Sequence, residues 1–99
     1  MMTGRNGEAA LCAAVAEEIR GVKTHIERLA ELFVADPRFA QDYLDQFQQF
    51  DLMAQQAEES ARVLDRLAGG QSADEAIAAV RLTAIQHRLR SAVADTVAA

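Results

Sequence analysis

Apolar residues fall in three blocks along the chain, each at helical spacing. In the first, Cys12, Val15, Ile19, Val22, Ile26, Leu29 and Phe33 follow one another in alternating steps of three and four. That alternation is a heptad seam, which keeps one stripe of a helix facing a partner helix. It predicts a helix over about residues 7–34, after a short, polar, disordered tail at residues 1–6. In the second block, Ala40, Tyr43, Phe47, Phe50, Ala54, Ala57, Ala61, Leu64 and Ala68 repeat the alternation. They predict a helix over about residues 37–68, with bulky side chains at its start and alanines in its middle. Asp36-Pro37 lies between the blocks. Asp is a good N-cap, Pro suits the first helical position, and Pro disfavours the helical conformation in the residue before it. A tight turn near Ala35 and Asp36 is expected, the alternative being a kink in one continuous helix.

The third block, Ile77, Val80, Leu82, Ile85, Leu89, Ala92 and Val93, forms a wider face. It predicts a helix over about residues 73–96, packed on a groove or across a dimer. Gly69-Gly70 ends the second helix, because glycine adopts the left-handed cap conformation readily. Ser72-Ala73-Asp74-Glu75 reads as a capping box opening the third. Two seams of similar length joined by a short turn define the fold class: all-α, a long antiparallel hairpin plus a third helix. Residues 7–99 then form one domain. A hairpin of this size is expected to dimerise into a four-helix-bundle core. Gly21 weakens the first helix by about 1 kcal/mol relative to Ala and allows close approach beside Val22.

Composition narrows the functional classes. Asp and Glu outnumber Lys and Arg 15 to 10, giving a formal net charge of −5. Nucleic-acid binding needs clustered cations, so that class is disfavoured. From Asp36 to Asp65 seven acids stand against Arg38 and Arg62, which gives the second helix an acidic face suited to a basic partner. Cys12 is the only cysteine, so an internal disulfide is excluded and the residue reads as a small core hydrophobe. No stretch approaches the ~20 apolar residues of a membrane span, and no signal core follows the N-terminus. A cytoplasmic protein that binds no membrane is expected.

Most enzyme chemistry finds no foothold. Metal-ligand spacings and phosphate-binding glycine loops are absent, so neither a metal nor a cofactor is expected. His25 follows Lys23-Thr24 and precedes Ile26; a histidine phosphotransfer role is one reading, a flanking helix residue the plainer one. His87 reads as a solvated helix residue. The remaining candidate is Phe47-Gln48-Gln49-Phe50-Asp51-Leu52-Met53-Ala54-Gln55. Asp51 and Gln55 lie four apart, on one helical face and about 6 Å apart along the axis. A rigid helix holds this carboxylate and amide at fixed separation. An aspartyl phosphate is already reactive, so its hydrolysis mainly requires an oriented water. An amide can orient one with a donor and an acceptor, while the carboxylate pairs with a lysine beside the phosphate.

The Asp-x-x-x-Gln motif, Asp51 to Gln55, preceded by Phe47-Gln48-Gln49-Phe50 on a helical hairpin, resembles the CheZ family of chemotaxis response-regulator phosphatases. In length the chain is more similar to the short CheT-type relatives. The resemblance covers about Tyr43 to Leu67 and the hairpin plan. It implies that Gln55 orients the attacking water and that Asp51 docks against a response-regulator receiver domain. It further implies a homodimer, with Mg²⁺ supplied by the receiver. Two departures stand out. Gly69-Gly70 leads directly into another helix where CheZ proteins carry a flexible tether, and Ala54 precedes the glutamine where glycine is common. A non-catalytic helical adaptor or small chaperone is the alternative function.

Overall fold

A computed structural model describes the backbone of residues 3–98 and, within it, the side chains of residues 7–38, 41 and 43–96. The described residues form five helical segments and no strand: α1 (Thr3–Val34), α2 (Pro37–Asp42), α3 (Leu44–Ala68), α4 (Ala73–Ala78) and α5 (Thr83–Ala98). The protein is all-α, as the apolar spacing predicts. None of these helices is long and apolar enough to cross a membrane.

α1 and α3 are the two arms of the hairpin. The turn between α1 and α2 falls at Ala35 and Asp36, and the Asp36 carboxylate accepts a hydrogen bond from the Arg38 backbone N–H at 2.9 Å. Phe33 near the end of α1 stacks on Phe50 of α3 with ring centroids 5.9 Å apart, and Phe47 tilts against Phe50 at 6.3 Å. Phe47 and Phe50 of the second seam thus fill the wide mouth beside the turn, whereas Tyr43 of that seam is exposed. Further along, Ala16 of α1 and Ala61 of α3 are completely buried. Small side chains there let the arms run close together.

The elements differ from the sequence expectations in four respects. α1 begins at Thr3 rather than near residue 7, so the polar tail is helical from that point. The second expected helix is interrupted at Tyr43, whose φ of −127° and ψ of 35° lie outside the helical region. The third is interrupted between Ala78 and Thr83. Finally, the first seam is only partly covered. Cys12, Ile19, Ile26 and Phe33 are half-buried, but Val15, Val22 and Leu29 are exposed. The buried face is rotated toward Ala16, away from those three. Ala40 of the second seam lies outside the described side chains.

Gly69 and Gly70 close α3 in a Schellman arrangement. The Gly70 N–H donates to Leu67 O at 3.1 Å and the Gln71 N–H to Arg66 O at 3.0 Å. Gly70 carries the positive φ, 96°, that this closure needs. The chain then enters α4 through a complete capping box. Ser72 Oγ accepts from the Glu75 N–H at 3.1 Å, and a Glu75 carboxylate oxygen accepts from the Ser72 N–H at 2.9 Å. The hydrogen bond from the Ser72 backbone N–H, and after it that of the Ser72 hydroxyl, hold the Glu75 carboxyl below its ordinary pKa.

α4 packs on α3 and α5 packs on α4, and this C-terminal part supplies much of the core. Ala76, Ile77, Val80 and Ile85 are buried there. Ala92, expected on the same apolar face, is exposed. Carbonyls at the end of α4 find side-chain donors. Gln86 Nε2 donates to Ile77 O, Ala78 O and Val80 O at 3.2–3.3 Å, and Arg66 Nη1 donates to Ala76 O at 2.9 Å. Those bonds satisfy the helix end and make the break between α4 and α5 affordable.

Candidate functional site

Asp51 and Gln55 sit one turn apart on α3, and both are exposed. Phe50 and Ala54, their neighbours in sequence, turn into the hairpin contact and are half-buried. The seam therefore fixes the rotation of α3 and leaves this pair at its edge. Among the described residues, neither side chain has a hydrogen bond or an ion pair, so both are available to a partner or to water.

The pair does not stand alone. It lines a shallow groove of about 240 Å³ between the two arms, together with Ala54, Glu58 of α3 and Lys23 and Glu27 of α1. Toward the turn, Asp51 also borders a groove with Glu27 and Glu31. Asp51 is therefore the α3 member of an acidic rim, which attracts a basic partner. In the other direction, Gln55 borders a groove with Glu58, Glu59, Arg81 and Leu82. Gln55 thus lies where the hairpin meets the connection between α4 and α5.

Ion pairs set the floor of this region. Glu58 accepts from Lys23 Nζ at 3.1 Å, from Arg20 Nη2 at 3.3 Å and from Arg62 Nε at 3.1 Å. The Lys23 bond first, then those to Arg20 and Arg62, hold the Glu58 carboxyl at about 2, against the opposing effect of burial. Arg20 also reaches Asp65 at 2.8 Å and Glu17 at 3.3 Å. Arg20 and Lys23 thereby tie α1 to α3 beside the groove. Their charges are largely spent on Glu58 and Asp65, so the site's net character stays acidic.

Glu59 is the buried acid of the region, 3% exposed. Its Oε1 accepts from the Arg81 backbone N–H at 2.6 Å and lies 3.6 Å from Arg81 Nε, and its Oε2 lies 3.6 Å from Arg62 Nη1. The carboxylate anchors the chain between α4 and α5 onto α3.

The other sequence candidates are placed elsewhere. His25 and His87 are exposed on α1 and α5, and neither lines these grooves. Cys12 is half-buried at the far end of the hairpin, beside Leu67 and Gly70. No grouping of three or more His, Cys, Asp or Glu among the described residues is arranged to hold a metal ion. Sequence reasoning missed Lys23, Glu27 and Arg81 as neighbours of the pair. For α1 a signal existed: Arg20, Lys23 and Glu27 recur at steps of three and four along a charged flank. Arg81 had none, since its approach depends on the break after α4.

The fold and site define a helical-hairpin protein with a carboxylate and an amide displayed on an acidic groove. Comparison with protein-family models, with curated proteins and with solved structures gave no match.

Proposed function

We propose that this chain is a CheZ-like signalling factor that binds a phosphorylated response-regulator receiver domain and promotes its dephosphorylation. The observation that carries this reading is the display of Asp51 and Gln55. They lie on one face of α3, exposed and without protein partners, on a helix whose rotation the seam fixes. In this role the Asp51 carboxylate accepts from a lysine beside the phosphorylated aspartate of the receiver. Gln55 then reaches the phosphoryl group and orients a water in line with the bond to be broken. Water adds to phosphorus, the bond to the aspartyl oxygen breaks, and aspartate and inorganic phosphate result. The receiver supplies the Mg²⁺ that neutralises the phosphoryl oxygens.

The acidic rim of Glu27, Glu31 and Asp51 favours a second reading, an adaptor that holds the same receiver without turnover. Mixing the chain with a phosphorylated CheY-type receiver separates the two. Faster loss of phosphate supports the phosphatase. Saturable binding with an unchanged rate supports the adaptor, and no binding removes both.

A further inference from the structure

The proposed reaction brings a doubly charged phosphoryl group to Gln55, which shares its grooves with the carboxylates of Asp51, Glu58 and Glu59. Like charges repel, so the group needs a cation on this side as well as the receiver's Mg²⁺ on the other. Arg20, Lys23, Arg62 and Arg81 all contact Glu58 or Glu59. The first three each hold Glu58 at 3.1–3.3 Å, with side chains 29%, 29% and 40% exposed. The Arg81 side chain is 70% exposed, and its Nε comes no closer than 3.6 Å to Glu59. Arg81 is therefore the least committed of these cations. It lines a groove of about 370 Å³ together with Gln55.

The backbone of Arg81 is fixed where its guanidinium is not. Its N–H donates to the buried Glu59 carboxylate at 2.6 Å. Val80 before it is buried, and Val80 O accepts from Gln86 Nε2 at 3.3 Å. Leu82 after it is half-buried, and Leu82 O accepts from the Gln86 N–H at 3.0 Å. A long cationic side chain thus springs from an anchored point and opens onto the groove of Gln55. We infer that Arg81 is a further catalytic residue of the proposed phosphatase, whose guanidinium binds the phosphoryl oxygens beside the water that Gln55 orients. This inference rests on the phosphatase reading. The planar fork offers two parallel donors to two phosphoryl oxygens, which a lysine cannot do. It stabilises the charge on those oxygens during transfer, as arginines do in nucleotide hydrolases. The water oxygen bonds to phosphorus, and the bond to the aspartyl oxygen breaks with its electron pair on that oxygen. Aspartate carboxylate and dihydrogen phosphate result, and Arg81 stays protonated throughout. The break between α4 and α5 then has a role, since it carries a cation to the site.

Phosphate loss from a phosphorylated CheY-type receiver, followed over rising concentrations of the chain, gives a saturating rate and a half-saturating concentration. Arg81→Ala keeps the backbone N–H that Glu59 accepts, so the fold should persist. It should lower the saturating rate by about 100-fold or more. The half-saturating concentration should change by less than about threefold, because the contact strengthens in the transition state. Arg81→Lys keeps the charge without the fork and should recover only part of the rate. Should Arg81→Ala unfold, Arg81→Gln decides, since it keeps a polar side chain without the charge. A saturating rate equal to the parent's in the folded variant would overturn the inference and leave the phosphatase reading standing. A raised half-saturating concentration at an unchanged saturating rate would assign Arg81 to docking and overturn it too. No acceleration by the parent chain would remove the phosphatase reading and this inference with it.

Discussion

The Glu59 carboxylate of α3 accepts a hydrogen bond from the Arg81 backbone N–H at 2.6 Å, from within the core. One contact thereby explains two features. It stabilises the non-helical stretch between α4 and α5, and it brings Arg81 and Leu82 beside Gln55. The connection between α4 and α5 is thus part of the site's wall.

Removing that acceptor should loosen the C-terminal helices. Glu59→Ala leaves the Arg81 N–H without its partner, and Arg62 without one of its two carboxylates. A loss of about 2–3 kcal/mol is expected in urea unfolding. Glu59→Gln keeps an acceptor for the N–H and should lose less. Equal losses in the two variants would mean that the hydrogen bond contributes little.

Glu58 makes stability depend on acid. Its carboxyl titrates at about 2 in the fold against 4.5 for an unperturbed glutamate. A depressed folded value means that the contribution is fully present above ~4.5 and is lost as pH falls toward ~2. The partly exposed setting reduces the contribution to roughly 1–2 kcal/mol. Unfolding free energies measured between pH 6 and pH 2 should fall more steeply for the parent chain than for Glu58→Gln. Parallel pH profiles would contradict this assignment.

Gly70→Ala should destabilise the chain by about 1 kcal/mol, because the φ of 96° suits glycine and strains alanine. Gly69 has a φ of −80°, and Gly69→Ala should cost less. Thermal melts of the two variants check the difference.

Much of this fold was legible in local sequence, because local chemistry determines it. Asp36-Pro37, Gly69-Gly70 and Ser72 with Glu75 each act within a few residues, and each does so where expected. The break at Tyr43 carries no such signal: no Gly or Pro marks it, and Tyr43 makes no side-chain cap to α3. The break after α4 is also silent in sequence. It depends on Gln86, Arg66 and Glu59 reaching backbone groups 6 to 22 residues away. The site was half legible. Heptad register placed Asp51 and Gln55 at the edge of the contact, and they lie there. Lys23, Glu27 and Arg81 join them only through tertiary packing.

The binding part of the proposed function makes its own prediction. Asp51→Arg replaces an acceptor with a cation on the acidic rim. It should weaken binding to a receiver domain by roughly tenfold or more while helical content stays unchanged. Titration of the receiver with each chain checks this. An unchanged affinity would place the docking surface elsewhere.

The most direct test of the central claim is the rate at which a phosphorylated CheY-type receiver loses phosphate, alone, with the parent chain and with Gln55→Ala. The account predicts that the parent chain accelerates the loss and that Gln55→Ala reduces the acceleration by roughly 100-fold while still binding. No acceleration by the parent chain, or equal acceleration by the variant, would contradict it.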